Sequence, residues 1–394
     1  MQPDPLAPRI TRVMEVVLAA IFLVLIVLPL ADSALKLDRA ATLNEKRLPA
    51  RFPEFAPGWG GLRAFLTGLE AYYADHFGFR TRLLHWEHQW KRDLFHESTV
   101  SDVMIGRDGW LFVTGGHMID DWRGTRPLTP RELQEWQTLL EKRRDWLARR
   151  GIKYLFVITP SKETVYPEFL PEWMARVGPV TRLDQFFTHM KAHSTVEVLD
   201  LRPALIQAKQ TARTYLITDA HWNLYGAFIG YQEIIRALHR QLPDLDEPLP
   251  LAAFETRYAD VQGGDLATML GQEQSLRESD YANLIPRPPL QRIENKVDTN
   301  ILNKKWRLLM EPVYSQNPAQ KYKALFFRDS FCEFLKPFLG YHFKRVVYIW
   351  LETWDLQVIE REQPDVVVDQ IVERGFDEIH AADLIRGDAL PQLP

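Results

Sequence analysis

The first strong pattern in the chain is a run without a charge, Val16 to Ala31 (VVLAAIFLVLIVLPLA), bounded by Glu15 and Asp32. As a helix its sixteen residues rise about 24 Å, a little short of a roughly 30 Å hydrocarbon core. Arg9 and Arg12 precede it, and the excess of basic residues on that side predicts a cytoplasmic amino terminus with the remainder across the membrane. Residues 1–34 therefore read as a cytoplasmic tail and transmembrane signal anchor. A cleaved signal peptide is the competing reading, with Ala31-Asp32-Ser33 as a small-x-small site. The length of the apolar run favours the uncleaved anchor.

Residues 35–100 read as a linker and an N-terminal helical segment. Pro49, Pro53 and Pro57 punctuate the linker, and Leu62, Phe65, Leu66, Leu69, Tyr72 and Tyr73 carry helical spacing within Gly61 to Phe95. Val103, Ile105 and the run Trp110 to Val113 flank Arg107-Asp108-Gly109, a hairpin signature with Asp-Gly at the turn. Thr129-Pro130-Arg131-Glu132 opens a helix as a capping box with proline in the first turn, and Gly151 stops it. Short apolar runs then alternate with helical segments: Tyr154–Thr159, Val196–Leu201, Tyr215–Thr218, Ala324–Phe327, Arg345–Trp350 and Asp365–Asp369. That alternation predicts an α/β domain over 101–390, a parallel sheet flanked by helices. Residues 241–323, rich in proline and polar residues, interrupt it as an insertion over one side of the sheet.

Composition narrows the function. Among 394 residues, Lys+Arg 48 against Asp+Glu 52 leave a net charge of −4, which gives no attraction to nucleic acid. Cys332 is the one cysteine, so no intramolecular disulfide or thiolate-rich metal site can form. The 12 tryptophans suit a sugar-binding surface or, more plainly, a Trp-rich core.

In open α/β sheets, ligands bind beyond the carboxyl ends of the strands. The residues there are Pro160-Ser161-Lys162, Asp200, Asp219-Ala220-His221-Trp222, Arg328-Asp329-Ser330 and Leu351-Glu352. Ser330, His221 and Asp219 are the types acyl transfer needs: a hydroxyl nucleophile, a base near neutrality, and a carboxylate that fixes the imidazole tautomer. Asp219 and His221, two apart, share one side of an extended segment. Ser330 stands between a strand and a helical stretch, where its backbone N–H would meet a developing oxyanion. The blander alternatives are a helix cap for Ser330 and a satisfied ion pair at a helix start for Asp219 and His221. Lys162 and Tyr166 either line the cleft or form an ordinary loop ion pair and a packed ring. Trp222 packs under the catalytic loop or, less simply, stacks on a sugar. Arg328 orients an anionic sugar or is a surface arginine. Cys332 fits a small buried residue. No histidine spacing defends a metal site; His85 and His88 fit a solvated helix face. No cofactor is called for.

Several segments together resemble the alginate O-acetyltransferase family, the AlgJ- and AlgX-like proteins with an SGNH-hydrolase-like domain. They are GRDGWLF (106–112), ITPSKETVYPEFLP (158–171), YLITDAHWNLYGA (215–227), GGDLATMLG (263–271), FFRDSF (326–331) and QPDVVVDQIVERG (363–375). The ordered set covers about residues 65 to 380. The resemblance implies Ser330 as nucleophile, His221 as base and Asp219 as orienting acid, with the Asp-His pair ahead of the serine, opposite to the usual SGNH order. Arg328 replaces the glycine of the Gly-Asp-Ser block, and no asparagine is assigned to the oxyanion hole. With the anchor retained and no separate carbohydrate-binding module expected to follow, AlgJ-like members are the closer likeness.

The resemblance implies an enzyme that O-acetylates an exported exopolysaccharide in the periplasm, held to the inner membrane by one span. A multispanning membrane-bound O-acyltransferase would be the acetyl donor partner, because acetyl-CoA is cytoplasmic. The same residues would also suit a carbohydrate acetylesterase, in which water wins the second step. A non-catalytic sugar-binding or assembly subunit of an export complex would have no need of all three side chains.

Overall fold

The computed structural model describes residues 7–35, 50–80, 82–83, 86, 100–298, 311–350 and 354–388. His85, His88, Leu351 and Glu352, all singled out above, lie outside the described residues. The chain divides into two units, Met1–Thr99 with Thr268–Gln272, and Val100–Ala267 with Glu273–Pro394.

The first unit contains a 29-residue helix, Ala7–Leu35, which includes the apolar run. Val16, Leu18 and Phe22 on it are more than 60% exposed. Among the described residues no helix is long and apolar enough to cross a membrane, so the expected spanning anchor is not confirmed. The second helix is Trp59–His76 and ends where Phe77 turns extended. The stretch read as a free linker packs on it in part. Phe52 meets Phe65 and Tyr72 edge-on at 6.3 and 5.2 Å, and the Ala50 N–H donates to Asp75.

The second unit is built on a seven-stranded sheet. Its strands are β3 (Lys153–Thr159), β4 (Val198–Asp200), β7 (Lys296–Val297), β8 (Val313–Gln316), β9 (Lys323–Arg328), β10 (Arg345–Trp350) and β11 (Val366–Val372), in the order β4-β3-β11-β9-β10-β8-β7. The first five run parallel, but β8 is antiparallel to β10 and β7 to β8, so the sheet is mixed rather than wholly parallel. Alternate residues feed two cores, as the period of two along a strand requires. On β3, Leu155 and Val157 face one core, and Tyr154, Phe156 and Ile158 the other. On β9, Ala324 and Phe326 oppose Leu325 and Phe327 in the same way. Burial of both faces explains why these strands are apolar without alternation.

The hairpin forms with β1 (Val103–Ile105) against β2 (Leu111–Val113), and Asp108 and Gly109 both take positive φ at its turn. The Thr129 capping box opens a helix over Pro130–Ala148, with Gly151 at φ 74° just beyond it. One expectation fails. Tyr215–Thr218 is no strand: its one ladder contact is a single bridge from Tyr215 to Trp222. The 241–323 insertion contributes an antiparallel hairpin, β5 (Phe254–Val261) with β6 (Glu278–Pro286), and the sheet strands β7 and β8.

Behind the sheet, Arg143 joins the helix Pro130–Ala148 to β11 and to the carboxyl-terminal segment. Its guanidinium donates to Asp369 at 2.7 Å and to both oxygens of Asp388 at 2.8 and 2.9 Å. Tyr154 Oη and Trp354 Nε1 complete Asp369. Arg143→Met would leave two buried carboxylates uncompensated, and is expected to lower the unfolding free energy by about 3–5 kcal/mol in urea titrations. A loss under about 1 kcal/mol, the size of an exposed ion pair, would contradict this role.

Candidate active site

The segment 214–222 carries Asp219 and His221 and is held from several sides. The buried Tyr166 hydroxyl accepts the Thr214 N–H at 2.8 Å. Lys162, 2% exposed, donates from Nζ to the carbonyls of Leu216, Ile217 and Asp219 at 3.0, 3.1 and 2.6 Å. Glu278, from β6, accepts from the Thr218 N–H and from its hydroxyl. After the loop, Asn223 caps the helix Leu224–Gln241 by accepting the Gly226 N–H at 2.8 Å. Trp222 is fully buried, and its Nε1 donates to the Phe331 carbonyl at 3.0 Å, which ties this loop to the serine turn.

The serine turn leaves β9 at Arg328 and enters a short 3-10 helix, Ser330–Phe334. Asp329 caps it through the Phe331 N–H at 2.9 Å. The same carboxylate accepts from Gln370 Nε2 at 3.0 Å and from the Val372 N–H, so β11 fixes the turn. Burial pushes the Asp329 carboxyl pKa up, against the pull of these donors.

These elements bring Ser330, His221 and Asp219 together. The Ser330 hydroxyl lies 2.7 Å from His221 Nε2, and His221 Nδ1 lies 2.7 Å from Asp219 Oδ1. With Asp219 ionised, Nδ1–H donates to it and Nε2 is left to accept the serine proton. Burial works against the Asp219 charge. Hydrogen bonds from His221 and from the Asp265 N–H outweigh it and hold the carboxyl well below its usual range. The Phe331 and Phe334 rings lie 4.7 and 5.9 Å from the imidazole.

The other candidates have different places. Arg328 does not lie on the surface. Its side chain is 1% exposed and pairs with Glu333 at 2.6 Å. Lys162 and Tyr166 lie beneath the loop rather than along a cleft, and Trp222 packs under it. The Cys332 thiol is buried, and burial pushes its pKa up to about 12. Sequence reasoning missed Asp265, whose Oδ1 accepts the Ala220 N–H at 2.8 Å and whose Oδ2 stands 3.7 Å from His221 Nδ1. Burial first, and then the charge of Asp219, raise its pKa. Its signal was the Gly263-Gly264-Asp265 turn, where a tight approach calls for glycine. Asp219, His221 and Asp265 hold three possible metal-ligand atoms within 4.8 Å. Both imidazole nitrogens are already engaged, however, so the arrangement suits proton transfer better than metal binding.

A family model described as "SGNH hydrolase-like domain, acetyltransferase AlgX" matches residues 103–305, just over half of the chain. Asp219, His221, Lys162 and Asp265 fall inside that match and Ser330 outside it. The chain is 28% identical over 208 residues to a "Probable alginate O-acetylase AlgJ" of Pseudomonas aeruginosa, covering 50% of this chain and 44% of that one. It is 29% identical over 200 residues to the protein so described in Pseudomonas putida, covering 50% and 47%. The matched region thus spans about half the length of these curated relatives. Among solved structures, Bacillus cereus PatB1 superimposes with a TM-score of 0.53 at 16% identity, over 70% of this chain and 96% of that one, which supports the fold. The O-acetyltransferase domain of Pseudomonas putida AlgJ gives 0.47 at 22% identity, over 72% and 98%.

A Cβ on Gly264 would overlap the Cβ and Oδ2 of Asp219. Gly264→Ala is therefore expected to displace Asp219, remove the far-downfield imidazole N–H proton resonance that marks the His221–Asp219 bond, and cost about 1–3 kcal/mol by overpacking. Survival of that resonance in the variant would contradict the packing.

Proposed function

The chain belongs to the family of SGNH hydrolase-like domains of AlgX-type acetyltransferases, and on that premise we propose that it is a polysaccharide O-acetyltransferase using Ser330, His221 and Asp219. One observation carries the reading: a single imidazole within 2.7 Å of both a serine hydroxyl and a carboxylate. Ser330 Oγ attacks the carbonyl carbon of an acetyl donor while His221 Nε2 takes the hydroxyl proton. The oxyanion forms beside the Ser330 N–H, which begins a helical turn and so lacks a partner within it. Collapse breaks the bond to the donor's leaving group, which takes the proton from His221 Nε2, and acetyl remains on Ser330 with Nε2 free again. A sugar hydroxyl then attacks this ester, His221 accepts its proton, and Ser330 is regenerated as it regains that proton. Asp219 stabilises the imidazolium in both halves.

The same proposal takes an exported polysaccharide as acceptor and a membrane-bound O-acyltransferase as donor partner, since an acetyl group made in the cytoplasm has to be passed across. It places the catalytic unit in the periplasm and the chain at the inner membrane. Arg9 and Arg12 ahead of the uncharged run support this, as do the solvent-facing side chains of that run. A reporter enzyme that is active only outside the cytoplasm, fused after Pro394, should be active; an inactive fusion in a stably expressed chain would refute the placement.

The chemistry is tested on the full chain in detergent, with an activated acetyl ester and candidate oligosaccharides followed by mass spectrometry. The expected outcome is acetyl on Ser330 and on sugar. Ser330→Ala and His221→Ala should each lower the rate by about 10⁴-fold or more, with thermal unfolding close to the wild type. Acetate without acetylated sugar would make the protein an esterase. Neither product would leave a binding role.

A further inference from the structure

Lys162 opens the short helix Lys162–Val165 directly after β3 and turns its side chain under the loop that carries Asp219. An ammonium group has three N–H donors and no acceptor. Here all three meet backbone carbonyls, those of Leu216, Ile217 and Asp219. The rings of Trp110 and Phe112, from the β1–β2 hairpin, close the other side at 5.7 and 5.3 Å from Nζ. Three carbonyls converging on one point suit a compact ammonium better than a planar guanidinium fork. Carbonyls facing one another would repel without a cation between them, so the charge fixes this backbone shape.

We propose that Lys162 is a positioning residue of the acyl-transfer site: its buried ammonium sets the place of Asp219, and through Asp219 the orientation of His221 toward Ser330. This rests on the function proposed above. Lys162 touches neither Ser330 nor His221, and it acts by drawing three carbonyls of one loop to a common point. The charged groups that face it are Asp219 and Asp265 in the site, Glu278 from β6, and Glu163 beside it in the chain. The neighbouring titrating group is Glu163, which burial raises to about 7.

Burial pulls the Lys162 pKa down to about 8, and the carboxylates of Asp219, Glu278 and Asp265 resist the fall. The ammonium is therefore intact below that value and loses its proton as the pH rises through it. A neutral amine has two donors for three carbonyls and no charge to hold them. The loop should then loosen, and the site should lose reactivity on the alkaline side. Arginine at this position would keep its charge throughout.

The full-length protein in detergent is treated with a sulfonyl fluoride, and the rate of Ser330 modification is followed by mass spectrometry across the pH range from mildly acid to strongly alkaline. The wild-type rate should fall as the pH rises through about 8. Lys162→Met should label about 100-fold more slowly at neutral pH, the loss expected of a 1 Å misplacement. Lys162→Arg should keep part of the rate and lose the alkaline fall. If Lys162→Met does not unfold cooperatively, the wild-type and Lys162→Arg profiles decide alone. An alkaline limb in Lys162→Arg equal to that of the wild type, or a folded Lys162→Met that labels at the wild-type rate, overturns the inference. Absence of Ser330 labelling in the wild type at every pH overturns the functional reading beneath it instead.

Discussion

A buried backbone that is neither helix nor strand has to find a partner for nearly every amide and carbonyl, and the rest of the site depends on how the 214–222 loop does so. Lys162 takes three of its carbonyls. Glu278 and Asp265 accept the Thr218 and Ala220 N–H groups, and Tyr166 accepts that of Thr214. Ala267 donates to the Thr218 carbonyl, and the Leu216 N–H bonds back to His221 within the loop. The partners come from residues 162 and 166 after β3, from 265 and 267, and from 278 on β6. The loop is thus defined by parts of the chain that meet only once the sheet and the β5–β6 hairpin are in place. A site built this way is available only in the folded state, and each of its supports is a side chain whose loss leaves a buried polar group unpaired.

The serine turn is secured from another direction. Asp329 is bound to Gln370 and Val372 of β11, and β11 is itself tied through Asp369 to Arg143 on the covering helix. The two halves of the site therefore hang on adjacent strands. Trp222 spans them with one indole N–H to the Phe331 carbonyl. The parallel strands β3, β11 and β9 set the spacing, and the irregular pieces at their carboxyl ends bring the reacting atoms within hydrogen-bond reach.

Local rules were readable in the sequence. The hairpin at Asp108-Gly109, the Thr129 capping box and the strand at Tyr154–Thr159 each follow from spacing within a few residues. So does the Asp219-x-His221 pair, whose separation of two is what lets one aspartate oxygen accept both the N–H and the ring of the histidine. Placing Ser330 beyond a strand end was enough to put it near them. The failures have separate causes. Tyr215–Thr218 has strand composition, but it makes no ladder in the sheet: Lys162 and Glu278, 54 and 60 residues away, hold it by side chains, and one N–H from β2 reaches the Ile217 carbonyl. β5 was hidden because Thr256, Arg257, Tyr258 and Asp260 face solvent and leave no apolar alternation to detect. Arg328 reads as a surface residue until Glu333 is seen to neutralise it in the interior.

Two carboxylates stand near His221 Nδ1, and the count of donors decides between them. Asp219 receives the His221 N–H, the His221 Nδ1–H and the Asp265 N–H. Asp265 receives the Ala220 N–H and is left 3.7 Å from the ring, beyond hydrogen-bond length. Each donor favours the ionised form of the group it meets, whereas burial and a neighbouring like charge favour the neutral form. Asp219 is therefore pushed toward permanent ionisation and Asp265 away from it, although both are acids in the same crevice. The asymmetry is useful. A single fixed anion on Nδ1 selects one tautomer and leaves Nε2 free to accept the proton of Ser330, whereas two equal anions would let the ring turn between them. Lys162 adds to this from below, since its Nζ holds the Asp219 carbonyl at 2.6 Å. The geometry that orients the imidazole is thus set less by the histidine than by which of its two acidic neighbours the backbone has chosen to stabilise.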